Sequence, residues 1–172
     1  MNKGLEKVLE YDFEYLLQMN SDTLLAEEFF HVYDWQADYM GSREVTFVDT
    51  KSGKCKHFKY DEMTVIGAGR VFSKACLMDV SRQLSGSLWE GWRNMGLDNS
   101  SDFNMIKCGY QAEVYDMNPG IILDLKSDEN IWKYDQMGGE EVVINWNKFP
   151  EYDPISSKRA IEANGQATAV AR

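Results

Sequence analysis

The sequence predicts an α+β fold: an N-terminal helical hairpin and one long central helix packed on a curved, mainly antiparallel sheet, in the order α-α-β-β-α-β-β-β-β. Two periodicities and a composition carry this expectation. Apolar residues recur every three or four positions through residues 5–37 and again over 73–95, and every second position in much of the rest. Hydrophobic residues are 44% of the 172 and aromatics 13%, enough to close a core and too many for a disordered chain.

Taken in order, Leu5, Val8, Leu9, Phe13, Leu16 and Leu17 form the first helical stripe. Asn20, Ser21 and Asp22 break it and supply an N-cap. The second helix sets Leu25, Phe29 and Val32 on one stripe with Phe30, Tyr33 and Ala37 beside it, and Gly41 takes the left-handed terminating position. Glu44–Val48 and Lys54–Tyr60 alternate around the polar loop 49–53 as a β-hairpin, and Met63–Ile66 adds a short strand. Ser73 caps the long helix, in which Leu77, Val80, Leu84, Leu88 and Met95 keep step until Gly96. Gly86 and Gly91 weaken its second half by about 1 kcal/mol each relative to alanine.

Strands at Met105–Tyr115 and Ile121–Lys126 flank the turn Asp116-Met-Asn-Pro-Gly120, followed by Ile131–Tyr134 and by Glu141–Trp146 after a double glycine. Pro150 and Pro154 end the pattern, so residues 1–150 are expected to form a single domain and 151–172 an extension or tail. This element order resembles the cone-shaped NTF2-like folds. That resemblance implies a pocket for a small apolar ligand at the open end of the sheet.

Charge narrows the function classes. With 28 acidic against 18 basic residues, a net charge of -10 and two histidines, the chain is poorly suited to nucleic acid or anionic membranes. A partner with a basic surface is electrostatically compatible. Cys55, Cys76 and Cys108 are odd in number and lack close pairing, which points to reduced thiols in the cytoplasm rather than disulfides or structural zinc. Cys55-Lys-His57 alternates on a strand without further ligands nearby, and His31 reads as a partly buried packing residue. No cofactor and no metal are expected. Residues 1–10 hold no apolar signal core, and no stretch approaches the ~18 apolar residues of a membrane span.

Four constellations bear on chemistry. Gly67-Ala-Gly69-Arg70 has Phe72 where the dinucleotide fingerprint needs glycine and lacks the Walker ending, so it reads as a tight turn with a surface arginine. Asp124 and Lys126 share a strand face, with Asp116 before the strand and Glu90 upstream. Their spacing resembles the PD-(D/E)xK nucleases, which implies a metal on the carboxylates and the lysine near the reactive water. The motif's proline is absent. Gly138-Gly-Glu-Glu-Val-Val-Ile144 resembles the closing strand of ADP-ribosyltransferases. That resemblance implies Glu141 on the ribose, Arg70 as the first-strand arginine and Ser100-Ser101 as the serine motif, although Gly139 stands where the arginine-specific pattern has glutamate. Finally, Trp89 and Trp92 lie three apart on one helix side with Glu90 between them, and are the candidate interface residues.

The expectation that follows is an acidic protein acting by protein–protein binding, of the immunity, inhibitor, phage counter-defence or assembly-component type, without a catalytic site. The alternatives are an enzyme, ADP-ribosyltransferase-like (Arg70, Glu141) or nuclease-like (Asp116, Asp124, Lys126), and an NTF2-like ligand binder.

Overall fold

The computed structural model of the chain describes residues 2–61, 65–89, 97–150 and 152. In chain order these form helix α1 (Asn2–Val8), strands β1 (Tyr15–Gln18) and β2 (Thr23–Leu25), the single-turn helix α2 (Phe29–Val32), strands β3 (Tyr39–Ser42), β4 (Glu44–Asp49), β5 (Cys55–Lys59) and β6 (Arg70–Ser73), helices α3 (Lys74–Gln83) and α4 (Leu97–Lys107), and strands β7 (Glu113–Tyr115), β8 (Ile122–Lys126) and β9 (Glu140–Val142). Short 3-10 turns lie at Tyr134–Gln136 and Trp146–Lys148. The fold is α+β, and its contacts divide it into two compact units. The first comprises Met1–Ser21, Phe30–Glu44 and Tyr60–Met117; the second comprises Asp22–Phe29, Val45–Lys59 and Asn118–Arg172.

The first unit is built on a sheet of order β1-β6-β3-β7. β6 pairs antiparallel with β1 and β3, while β3 and β7 run parallel. Strand alternation puts Leu16, Arg70, Phe72 and Tyr39 on one face and Tyr15, Val71, Met40, Glu113 and Tyr115 on the other. The first of these faces packs against Leu5, Cys76, Leu77, Val80, Leu88, Trp89 and Met105, the core of the unit. α3 starts where the Ser73 hydroxyl accepts the Cys76 N–H at 3.1 Å. It ends in a Schellman motif: the Gly86 N–H bonds the Ser81 carbonyl at 2.7 Å, and Ser85 sits at φ 52 in the position glycine usually takes. α4 ends the same way, with Tyr110 N–H on the Met105 carbonyl at 3.0 Å and Gly109 at φ 91.

The second unit has a sheet of order β2-β8-β4-β5-β9. β8 pairs antiparallel with β2 and parallel with β4, and β5 pairs antiparallel with β9. One face packs Val48, Cys55 and Leu123 against Ala26, Ile144 and Phe149. The opposite face carries Phe47, Asp124 and Lys126 in cross-strand register. The β4–β5 turn is closed by the Asp49 carboxylate, which accepts the Lys51 N–H at 3.0 Å.

Several expectations are corrected. The helical hairpin does not form: α1 stops at Val8, and residues 15–18 and 23–25 are strands. Over such short windows, three- and four-residue spacing and alternation select overlapping residues, and pairing with β6 and β8 decides between them. Gly41 ends no helix. It lies fully inside β3, where a Cβ would come 2.9 Å from Val65.

The central helix stops at Gln83 rather than continuing, because Ser85 and Gly86 both adopt positive φ. Met105–Lys107 belongs to α4, not to a strand. That helix buries Ser100, Ser101 and Met105 instead of a broad apolar stripe, which hides it from periodicity. In place of one mainly antiparallel sheet there are two mixed ones, since a strand's own pattern does not specify its neighbour's direction. Residues 131–134 contain no strand, and β9 ends at Val142. Of the expected strand over 63–66, residues 63 and 64 lie outside the described residues and Val65 and Ile66 are not in a strand; of the expected tail over 151–172, all but Tyr152 lie outside them. Among those described, no helix is long and apolar enough to cross a membrane.

Candidate protein-binding surface

Away from its helices, the first unit's sheet carries an aromatic cluster. β1 presents Tyr15 and β7 presents Tyr115 on that face, while α2 and the turn after it bring Phe30, Tyr33 and Trp35. The Trp35 indole stacks on Phe30 at 6.5 Å and 11°, and meets Tyr15 and Tyr33 edge-on at 5.4 and 5.9 Å. Tyr33 in turn meets Tyr115 edge-on at 5.0 Å. These are the offset and T-shaped geometries that ring quadrupoles favour.

Polar ends fix the set. Trp35 Nε1–H donates to the Phe30 carbonyl at 3.0 Å, the Tyr15 hydroxyl to the Trp35 carbonyl, and the Tyr33 hydroxyl to the Gly69 carbonyl at 2.8 Å. Phe30 keeps 47% of its surface exposed, and Tyr15, Trp35 and Tyr115 are half-buried.

Carboxylates surround the rings. Glu14, Asp34, Asp38 and Glu113 are all exposed. Burial first, then the charges of Asp38, Glu14 and Asp34, push the Tyr15 phenol above its usual range. Tyr115 is raised by burial and by its 2.8 Å bond to Glu113. Among the described residues, none of these four carboxylates is ion-paired with a cation. The surface thus pairs a negative potential with aromatic faces. That combination attracts cationic side chains by charge and by cation–π contact.

The described residues among those singled out from sequence fall elsewhere. Trp89 is 5% exposed in the core of the first unit, held by Asn2 through two hydrogen bonds of 2.7 and 3.0 Å, so it presents nothing to a partner. Trp92 and Glu90 lie outside the described residues. Arg70 is not a surface arginine. It points inward from β6, fully buried, donating to the Ser101 hydroxyl and to the Val65 carbonyl at 2.8 Å, with the Tyr39 ring 6.0 Å away. Because it shares the inner face with Phe72, its side chain is enclosed where the ADP-ribosyltransferase resemblance needs it facing a cleft.

Glu141 is exposed on β9 of the second unit and lines a cleft of about 480 Å³ with Lys54, Cys55, Val142 and Trp146. Asp124 and Lys126 of that unit form a largely buried ion pair at 2.7 Å. Burial raises the Asp124 carboxyl to about 6 against the pull of Lys126. Asp116 is an exposed residue of the first unit. Among the described residues, no three His, Cys, Asp or Glu side chains are placed to hold a metal.

His31 is exposed rather than packed, and His57 Nδ1 lies 3.1 Å from the Thr46 hydroxyl. Burial raises the Cys55 and Cys76 thiols to about 11 and about 12. Sequence reasoning missed the Tyr15–Phe30–Trp35–Tyr115 surface because it placed Phe30 on a helix stripe, left Tyr15 and Trp35 off the stripes, and put Tyr115 at the end of a long strand far along the chain. The available signal was the alternation of aromatics and acids in Phe30-His-Val-Tyr-Asp-Trp35 and on to Asp38. Compared with known proteins, the chain matches no family model, no curated protein and no solved structure.

Proposed function

We propose that this chain is a non-catalytic protein-binding module. A partner with a basic surface docks on the face formed by Tyr15, Phe30, Trp35 and Tyr115. One observation carries the reading: four exposed carboxylates, without a cation partner among the described residues, lie around a half-exposed aromatic cluster. The net charge of -10 accelerates encounter with a basic protein and repels nucleic acid. Aromatic residues surrounded by polar ones are the usual anchors of such interfaces. The roles that fit are an inhibitor or immunity protein, a phage counter-defence factor or an assembly component, working in the cytoplasm with its cysteines reduced.

The test is capture from the native cell or infected host, with mass spectrometry and with charge reversals as controls. Wild type and Trp132→Ala, an exposed change in the second unit, are expected to retain a stoichiometric basic partner. Glu14→Lys with Asp34→Lys loses it, and the wild-type complex weakens as salt rises. A partner held equally by the reversed variant, or no partner at all, overturns the proposal.

A further inference from the structure

Resting on that reading, the geometry points to how the partner engages: an extended basic segment adds to the outer edge of β7 as a fifth strand of the first sheet. β7 ends the order β1-β6-β3-β7 and has β3 as its neighbour. Beyond that ladder, no main-chain hydrogen bond reaches Glu113, Val114 or Tyr115 among the described residues. The opposite end differs. β1 has no exposed residue, whereas Glu113 and Val114 are both exposed, Val114 at 38%. An unpaired edge beside anchoring side chains is the arrangement that peptide strands extend.

Charge decides the occupant. Strand addition by a second copy of this chain brings Glu113 and its neighbouring acids against their own kind on two molecules of net charge -10. A cationic strand meets the opposite situation. Side chains of an added strand alternate between faces. Those on the face of Glu113 and Tyr115, where the Tyr115 hydroxyl also accepts the Asp34 N–H at 3.2 Å, are arginine or lysine. Those on the Val114 face are apolar. The partner segment therefore alternates basic and apolar residues.

A short peptide alternating arginine and valine tests this against the same peptide N-methylated at every second amide, which keeps the charge and removes the ladder. The unmodified peptide is expected to bind about tenfold tighter, to slow amide exchange at residues 113–115 about tenfold, and to lose about tenfold in affinity with Glu113→Lys. Equal binding of both peptides, with exchange at 113–115 unchanged, refutes strand addition and leaves the basic-partner reading standing. Binding of neither peptide refutes both.

Discussion

Truncating Arg70 to alanine distinguishes a structural guanidinium from a ligand-facing one. Arg70 is the bulkiest of the fully buried side chains among the described residues and donates to the Ser101 hydroxyl and the Val65 carbonyl. Removing it leaves at least these two buried acceptors to find new partners, at about 1–3 kcal/mol each. It also opens a cavity lined by Tyr39 and Phe72. Relief of a desolvated charge offsets part of this, and the net loss is about 3–5 kcal/mol. With a urea dependence of about 2 kcal/mol per molar, the unfolding midpoint falls by about 2 M. Ser101→Ala removes one of the same bonds and costs about 1.5–3 kcal/mol. Since the two changes share a bond, the double variant loses less than their sum. Urea titrations followed by far-UV circular dichroism and tryptophan fluorescence read all three. A midpoint for Arg70→Ala within about 0.3 M of wild type, or strict additivity, refutes this account of the buried arginine.

Three further outcomes are expected. Ser85→Gly relieves the positive φ at the end of α3 and raises stability by about 0.5 kcal/mol, a Tm increase of one or two degrees by calorimetry; a decrease contradicts the Schellman reading. Asp124 titrates near 6 in the native state against an ordinary 3.8, so between those values the folded protein holds a proton that the unfolded chain has released. Its contribution to stability therefore falls as pH rises through that window, by roughly 3 kcal/mol, and is flat above. Asp124→Asn abolishes this slope in urea midpoints measured at about pH 4.5 and 6.5, and an unchanged slope excludes Asp124 as its source. Asp49, whose carboxyl is held low by the Ser52 and Lys51 donors despite opposing burial, acts below this window, losing its contribution as pH falls past 3.8. Finally, a thiol reagent at about pH 8 modifies half-buried Cys108 first, while Cys55 and Cys76, raised to about 11 and about 12, react only on unfolding; simultaneous labelling of all three contradicts their burial.

What the sequence made legible was local chemistry. The Asp49–Gly53 turn and the Ser73 cap are written in side chains that bond their own backbone, and both form. β8 was visible as an apolar run after a proline–glycine turn. The partners were not visible. Leu16 and Leu17 become strand residues because β6 is there to pair with them, and α4 carries Ser101 to a buried guanidinium contributed 31 positions earlier. Arg70 illustrates the limit: an arginine after Gly-Ala-Gly has the sequence of an exposed turn, and only the packing of α4 on the sheet encloses it. The candidate surface was hidden for the same reason, since Tyr15, Trp35 and Tyr115 come from three separate stretches of chain.

The two units are woven from alternating segments, the chain passing between them after Ser21, Phe29, Glu44, Lys59 and Met117. During synthesis the strands of the first sheet are all available once Tyr115 has emerged. β2 and β4, by contrast, flank β8 and wait for residues 122–126 before either can pair with it. For that interval a nascent chain carries the open edges of β2 and β4, with that of β5 still waiting for β9, the state in which strands join to foreign chains. The second sheet thus stays open to such joining until β8 and then β9 have emerged, and no cut at a single loop yields either unit alone.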